Sequence, residues 1–316
     1  MKIIGIDTLV FAANDLDASR QYMLDYGLNA VDEAQLQFET LDGTGIHIHS
    51  PEQENLPPAL GPVSQLRKII YGVADEATLQ EIAAELGKDR EVKILNDQSL
   101  ESLDDAGITI GFQMTKRRTL SLLGERVNAP GAPHQRGLNE LGVDETCEAK
   151  PRTLAHVALF VPDAAKAEAF YVERLGFRCS DRLGGGPFLR AGGTTEHHTM
   201  FLIQAPAHIK GLEHASFHLG GVSEVMLAGN RFQKLGYDSF WGPGRHGLGS
   251  NWFWYFDSPL GCRFEYDADI DHLDETWVPR EWPLHEDNAQ AYLLEFQTKN
   301  WAPFNGPKQK DVATQS

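Results

Sequence analysis

The chain has 316 residues, 41% hydrophobic and 23% charged, the balance of a soluble globular protein with room for about two domains. A formal net charge of -17 argues against nucleic acid or an anionic membrane as partner, and no apolar run approaches the ~20 residues that span a bilayer. Cys147, Cys179 and Cys262 share no metal-type spacing and cannot all pair, and the N-terminus lacks a signal-peptide pattern, so a reducing cytoplasm is expected.

Lys2 to Phe11 reads as a strand from its Ile, Leu and Val content, and Asp15 to Tyr26 as a helix capped by Asn14 or Asp15. Gln35 to Thr40 and Gly45 to His49 follow as strands. A second round gives a strand at Arg67 to Val73, a helix at Glu76 to Leu86, and strands at Ile108 to Met114 and Thr119 to Leu123. Residues 124–152 carry turn formers without a steady period and read as a linker. Further on, Leu154 to Phe160 and Leu212 to Phe217 read as strands, each the first of its module. Gly242-Pro243-Gly244 reads as a turn, and Asn251 to Phe256 and Cys262 to Tyr266 as the strands of a hairpin.

The pattern repeats. Leu9-Val10-Phe11, Tyr22 and Gly27-Leu28 match Ala158-Leu159-Phe160, Tyr171 and Gly176-Phe177 at a constant offset of 149. Self-similarity at a fixed offset marks duplicated units, here two halves of two strand-helix-strands modules each. The same offset sets Asp7 against His156 and Gln65 against His214, and Glu265 falls near Gly111 if a small shift is allowed at the last turn. Nine of the twelve histidines lie at or after position 156, so the second half carries the chemistry.

His156 and His214 sit at matching places in consecutive modules, and Glu265 lies on the last strand of the second. A lone strand histidine is ordinarily a satisfied polar residue, but two in register plus an inward carboxylate are harder to dismiss. Glu265 buried in an apolar hairpin is costly unless paired or bound to a metal, the plainer alternative being a rim carboxylate satisfied by Arg263 or water. Two imidazoles and one carboxylate on one face of a metal leave positions open opposite, an arrangement suited to non-heme Fe(II) and dioxygen.

Thr195-Glu196-His197-His198-Thr199-Met200, Gly242-Pro243-Gly244-Arg245-His246-Gly247, Tyr255-Phe256, Pro259-Leu260-Gly261 and Phe264-Glu265 together resemble the type I extradiol ring-cleavage dioxygenases of the vicinal oxygen chelate superfamily, such as the catechol 2,3-dioxygenases and 2,3-dihydroxybiphenyl dioxygenases. The resemblance runs over nearly the whole chain. It implies an α+β fold of two vicinal oxygen chelate domains, each a pair of βαβββ modules forming an open barrel. The expected divisions are 1–125 for a domain without a metal site, 126–152 for the linker, 153–270 for the catalytic domain and 271–316 for an extension ending in disorder. It implies His156, His214 and Glu265 as ligands of Fe(II), with Mn(II) the alternative. It further implies His198 beside the dioxygen position, His246 and Tyr255 hydrogen-bonding the substrate, an aromatic diol and O2 as reactants, and a homo-oligomer.

Each of the last three residues has a plainer reading: a polar strand start for the His197–His198 pair, kept for His197; a solvated loop histidine for His246; a core aromatic for Tyr255. Trp241, where some relatives acting on carboxylated catechols carry arginine, favours an uncharged or aromatic ring substituent. The long acidic tail is expected to cover the pocket or form a subunit contact. Three alternatives remain open: cleavage of a hydroquinone or trihydroxybenzene at the same metal site, a metal-dependent glyoxalase-like isomerase, and a non-catalytic binding protein of the same fold.

Overall fold

A computed structural model of the protein describes residues 1–32, 34, 36–61 and 64–294. The first half forms an eight-stranded sheet from β1 (Ile3–Ala12), β2 (Asn29–Asp32), β3 (Gln37–Glu39), β4 (Gly45–His49), β5 (Leu66–Val73), β6 (Lys93–Ile94), β7 (Leu100–Leu103) and β8 (Thr109–Met114), in the order β2-β3-β4-β1-β5-β8-β7-β6. Helix α1 (Leu16–Tyr26) follows β1 and α2 (Glu76–Leu86) follows β5. The second half repeats the plan with β9 (Thr153–Val161), β10 (Arg178–Leu183), β11 (Gly186–Arg190), β12 (Met200–Gln204), β13 (Gly211–His218), β14 (Ser239–Arg245), β15 (Trp252–Asp257) and β16 (Arg263–Ala268). Its helices are α3 (Ala164–Ala169), continued by a π-helical turn at Phe170–Arg174, and α4 (Val222–Lys234). Four βαβββ modules result, as expected for the two-domain vicinal oxygen chelate fold.

Local chemistry explains the repeat. Asp15 and Asp163 accept the N–H of the residue three further on, so each is the N-cap of its module's helix. Gly27 and Gly176, just past those helices, have φ of 100° and 73°, the left-handed conformation glycine adopts without strain. One continuous core spans both halves. Tyr26 of α1 stacks on Tyr266 of β16 at 4.1 Å, and Tyr22 meets Phe232 of α4 edge-on at 5.1 Å. Arg117 adds a polar tie, donating to Thr153 and the Leu154 carbonyl as well as to Asp42 and the Ile6 carbonyl.

Three expectations are corrected. Thr119 to Leu123 form no strand, because β8, which leads into them, is already flanked by β5 and β7 and leaves no free edge. Gly242-Pro243-Gly244 is not a turn but part of β14, where the register against β15 shifts between Trp241 and Gly244. The repeat partner of His214 also moves, while that of Glu265 stays beside Gly111. Thr8 pairs with Ile70 as Val157 pairs with Ala215, which sets Ile69, not Gln65, in the place of His214, an offset of 145. Ile70 pairs with Gly111 as Ala215 pairs with Phe264, which sets Phe112 in the place of Glu265, an offset of 153. Unequal loops between strands break the constant offset. The first half thus has Asp7, Ile69 and Phe112 at these places, all fully buried.

The chain forms neither helix nor strand between Met114 and Thr153. Beyond residue 270, β17 (Arg280–Trp282) pairs with β10, α5 (Glu286–Ala289) follows, and β18 (Tyr292–Leu293) pairs with β14, so the ten-stranded second sheet includes part of the tail. The disorder expected after Pro307 lies outside the described residues. Among the described residues no helix is long and apolar enough to cross a membrane.

Candidate metal centre

Adjacent strands bring the three expected ligands together. His156 stands on β9, His214 on the neighbouring β13 and Glu265 on β16, the next strand over. His156 Nε2 lies 3.1 Å and His214 Nε2 3.6 Å from Glu265 Oε2, and one donor atom from each residue falls within 4.8 Å of the others. These are the separations of neighbouring ligands on one cation with bonds of about 2.1 Å. Glu265 is fully buried, and neither carboxylate oxygen receives a hydrogen bond, so Arg263 does not satisfy it. Arg263 instead pairs with Glu213 and Asp257. A buried, unpartnered carboxylate facing two imidazoles is a donor set that fits a divalent first-row cation.

Electrostatics agree with that fit. Burial works to raise the Glu265 carboxyl, but the facing His156, His246 and His214 outweigh it and hold it well below the usual carboxylate range. Burial lowers the His156 imidazole further than Glu265 restores it, which keeps its nitrogen free to ligate. For His214 burial is overcome by Glu213 and Glu265, and its pKa is raised. The outer nitrogens face carboxylates: His214 Nδ1 meets Glu213, and His156 Nδ1 lies 3.9 Å from Asp267 Oδ2. Asp267 is itself fully buried and held by His218 Nδ1 at 2.5 Å and Asn251 Nδ2 at 3.3 Å. Such outer carboxylates orient ligand imidazoles.

The other expected residues surround this cluster. Tyr255 lies directly across the strand pair from Glu265, and His246 Nε2 lies 3.5 Å from Glu265 Oε1. His246 Nδ1 donates to the Ala289 carbonyl at 2.7 Å, leaving Nε2 to accept from the Tyr255 hydroxyl at 3.0 Å. Burial and the nearby Glu265 raise the Tyr255 phenol well above its ordinary value, so it stays protonated. The His198 ring lies 4.0 Å from that of His156. Burial first, then His156 and His197, lower its pKa well below the ordinary value.

His197 corrects the sequence reading. Far from being a polar strand start, it is fully buried, with its Nδ1 3.0 Å from His198 Nδ1 and its Nε2 2.8 Å from Asp181 Oδ2. Nothing in the strand sequence Arg178–Leu183 marked Asp181 as a partner. Asp267, two residues beyond Glu265 on one strand, was findable from the two-residue period. A pocket opens over the cluster, walled by Leu183, Phe188, Phe201, Trp241 and Leu248 and, from the tail, Asn288 and Ala289. The tail therefore contributes two residues to the pocket wall.

Comparison with known proteins agrees with this architecture. Residues 153–266 match the family model described as the Glyoxalase/Bleomycin resistance protein/Dioxygenase superfamily. The chain is 37% identical over 154 residues to metapyrocatechase 2 of Cupriavidus necator, covering 48% of this chain and 45% of that protein. It is 25% identical over 145 residues to a manganese-dependent 2,3-dihydroxybiphenyl 1,2-dioxygenase of Geobacillus genomosp. 3, covering 43% of this chain and 46% of the relative. The chain thus spans about half the length of the curated relatives it matches. The crystal structure of a Mn(II)-bound glyoxalase from Novosphingobium aromaticivorans shares the fold, with a TM-score of 0.71 at 19% identity over 92% of this chain and 91% of the other. Residues 153–266 thus match that superfamily's model, just under half of the chain is similar to a metapyrocatechase, and the two-sheet fold is that of the vicinal oxygen chelate proteins.

Proposed function

We propose that the protein is a non-heme Fe(II) extradiol dioxygenase that opens the ring of a catechol-type diol with O2, with Mn(II) the alternative metal. One observation carries the reading: the unpartnered Glu265 carboxylate between His156 and His214 lies under an apolar pocket that also presents His198, His246 and Tyr255. The likeness to metapyrocatechase 2 supports it, and the two manganese proteins support the alternative metal. In this reading His156, His214 and Glu265 hold the ion, which when bound acidifies the diol and brings diol and dioxygen together.

The chain's own side chains do the rest. A diol hydroxyl entering between Tyr255 and His246 passes its proton to the bare Nε2 of His246, whose Nδ1 stays anchored on Ala289. The Tyr255 hydroxyl then donates to the phenolate oxygen. Phe188, Phe201 and Leu248 orient the ring and exclude water, and Trp241, stacked 5.2 Å from Tyr255, favours an apolar ring substituent. His198, beside His156, takes and returns a proton at the ring nitrogen turned away from His197.

We keep 1–125 as the metal-free domain, 126–152 as linker, 153–270 as the catalytic domain and 271–316 as its extension. The Asp7, Ile69 and Phe112 positions support the first assignment. A cytoplasmic homo-oligomer remains part of the proposal, the three free cysteines fitting a reducing compartment.

The test is oxygen uptake across a panel of catechols, hydroquinones and trihydroxybenzenes after anaerobic loading with Fe(II) or Mn(II). Equimolar consumption of O2 and a diol, abolished by chelation, is expected. Diol binding with no uptake for either metal would return the non-catalytic binding protein, and turnover of a thiol adduct without oxygen the isomerase.

A further inference from the structure

We propose that His197, held by Asp181, fixes the His198 ring with its proton on Nδ1 and a bare Nε2 facing the pocket. His197 is thereby a positioning residue; the inference deepens the dioxygenase reading above, which gives His198 its role.

The chain of contacts runs from the tail to the pocket. Arg280, on β17, donates from Nη2 to Asp181 Oδ2 at 2.5 Å, from Nε to both oxygens at 3.1 and 3.2 Å, and from its backbone N–H to Oδ1 at 2.7 Å. Asp181 is fully buried, and although burial works to raise its carboxyl, the hydrogen bonds from His197 and Arg280 bring it down to about 2. An ionised carboxylate only accepts, so His197 Nε2, 2.8 Å away, carries a proton. The Arg280 cation already balances that carboxylate. With that carboxylate already balanced, we take His197 as neutral.

A neutral His197 protonated at Nε2 has a lone pair on Nδ1. That atom lies 3.0 Å from His198 Nδ1, a distance at which one nitrogen must donate, and the only available proton is that of His198. The far nitrogen, Nε2, is then unprotonated where His198 lines the pocket. This is the less common tautomer of a free imidazole, and without His197 nothing among the contacts of His198 selects it. When His198 Nε2 takes a proton, its Nδ1–H stays directed at His197, and Asp181 at the far end steadies the charge, as the orienting carboxylate does in a Ser-His-Asp triad. Arg280 thus ties the tail to the reacting groups through two buried side chains.

The experiment reads the tautomer directly. Metal-free protein with 15N-labelled imidazoles is recorded by long-range 1H–15N correlation, the His198 signals being assigned from His198→Phe. Wild type is expected to show His198 protonated at Nδ1 and bare at Nε2, and His197→Phe is expected to reverse that preference. In Fe(II)-loaded protein, His197→Phe is expected to slow the oxygen-dependent steps roughly 10²–10⁴-fold while anaerobic diol affinity stays within about two-fold. A general packing defect would weaken diol binding as well. A wild-type spectrum with His198 protonated at Nε2 overturns the proposal whether or not the variant folds. The spectrum is independent of turnover, so an enzyme that consumes no oxygen would sink the dioxygenase reading and leave the tautomer to be judged by itself.

Discussion

Glu265 is the residue on which the second half turns. A carboxylate with no exposed surface and no hydrogen bond on either oxygen is tolerated only because something positive belongs beside it. Glu265→Ala is therefore expected to cut metal retention at least about 10²-fold, yet leave the metal-free protein as stable as wild type or more so, since a buried charge is removed. Asp7, in the place of His156 in the first half, should behave in the opposite way. It accepts from Gln113 Nε2 at 3.1 Å, Thr115 Oγ1 at 3.0 Å and the Lys116 N–H at 2.9 Å, so it closes the first sheet and leaves no donor free for a metal. Asp7→Ala is expected to keep full metal content and lose about 2–4 kcal/mol of stability. Elemental analysis and thermal melts of the two variants check both claims; full metal in the Glu265→Ala protein would remove it from the ligand set.

At the scale of elements, α4 lies so close on β15 that a Cβ at Gly229 would come within 2.1 Å of the Trp254 ring. The ring cannot retreat easily, because its Nε1 donates to Ser239 Oγ at 2.8 Å and it is fully buried. Gly229→Ala, which raises helix propensity, is nonetheless expected to destabilise by about 1–3 kcal/mol. Chemical denaturation decides it, and a variant as stable as wild type would show that α4 shifts freely. The same elements show what was legible beforehand. His156 and His214 stood out because each opens a module on its first strand, and α2 fell on Glu76–Leu86 as read. Thr119 to Leu123 misled because composition favours a strand wherever apolar residues cluster, whereas a strand also needs a free edge. His197 misled because a polar pair ahead of an apolar run reads as the start of a strand, but β12 begins only at Met200, and before that point the chain turns His197 toward Asp181 and His198 toward the pocket.

The whole molecule depends on contacts between halves that no single module could announce, such as Tyr26 on Tyr266. Tyr171, in the π-helical turn after α3, donates across this boundary to Asp104 Oδ2 at 2.9 Å, while Asp104 Oδ1 accepts from the Ile108 N–H at 2.7 Å and the Ala106 N–H at 2.9 Å. Burial raises the Asp104 carboxyl to about 6 despite those donors. In the unfolded chain an aspartate titrates near ~3.9. The folded state therefore binds the extra proton more tightly, so this group's contribution to stability is fully present below pH ~4 and is lost as pH rises through about 6. Asp104→Asn cannot ionise, and the difference in stability between wild type and variant should move by up to about 3 kcal/mol in the variant's favour between pH 4 and pH 7.5. His47, whose imidazole is lowered to about 4 by burial and nearby lysines, loses stability in the opposite direction, as pH falls, but it is common to both proteins and cancels. Urea unfolding of metal-free wild type and Asp104→Asn across that range measures the gap. A gap that stays constant with pH would mean that Asp104 is already ionised at pH 4 and that the boundary between the halves is held by its carboxylate rather than its acid.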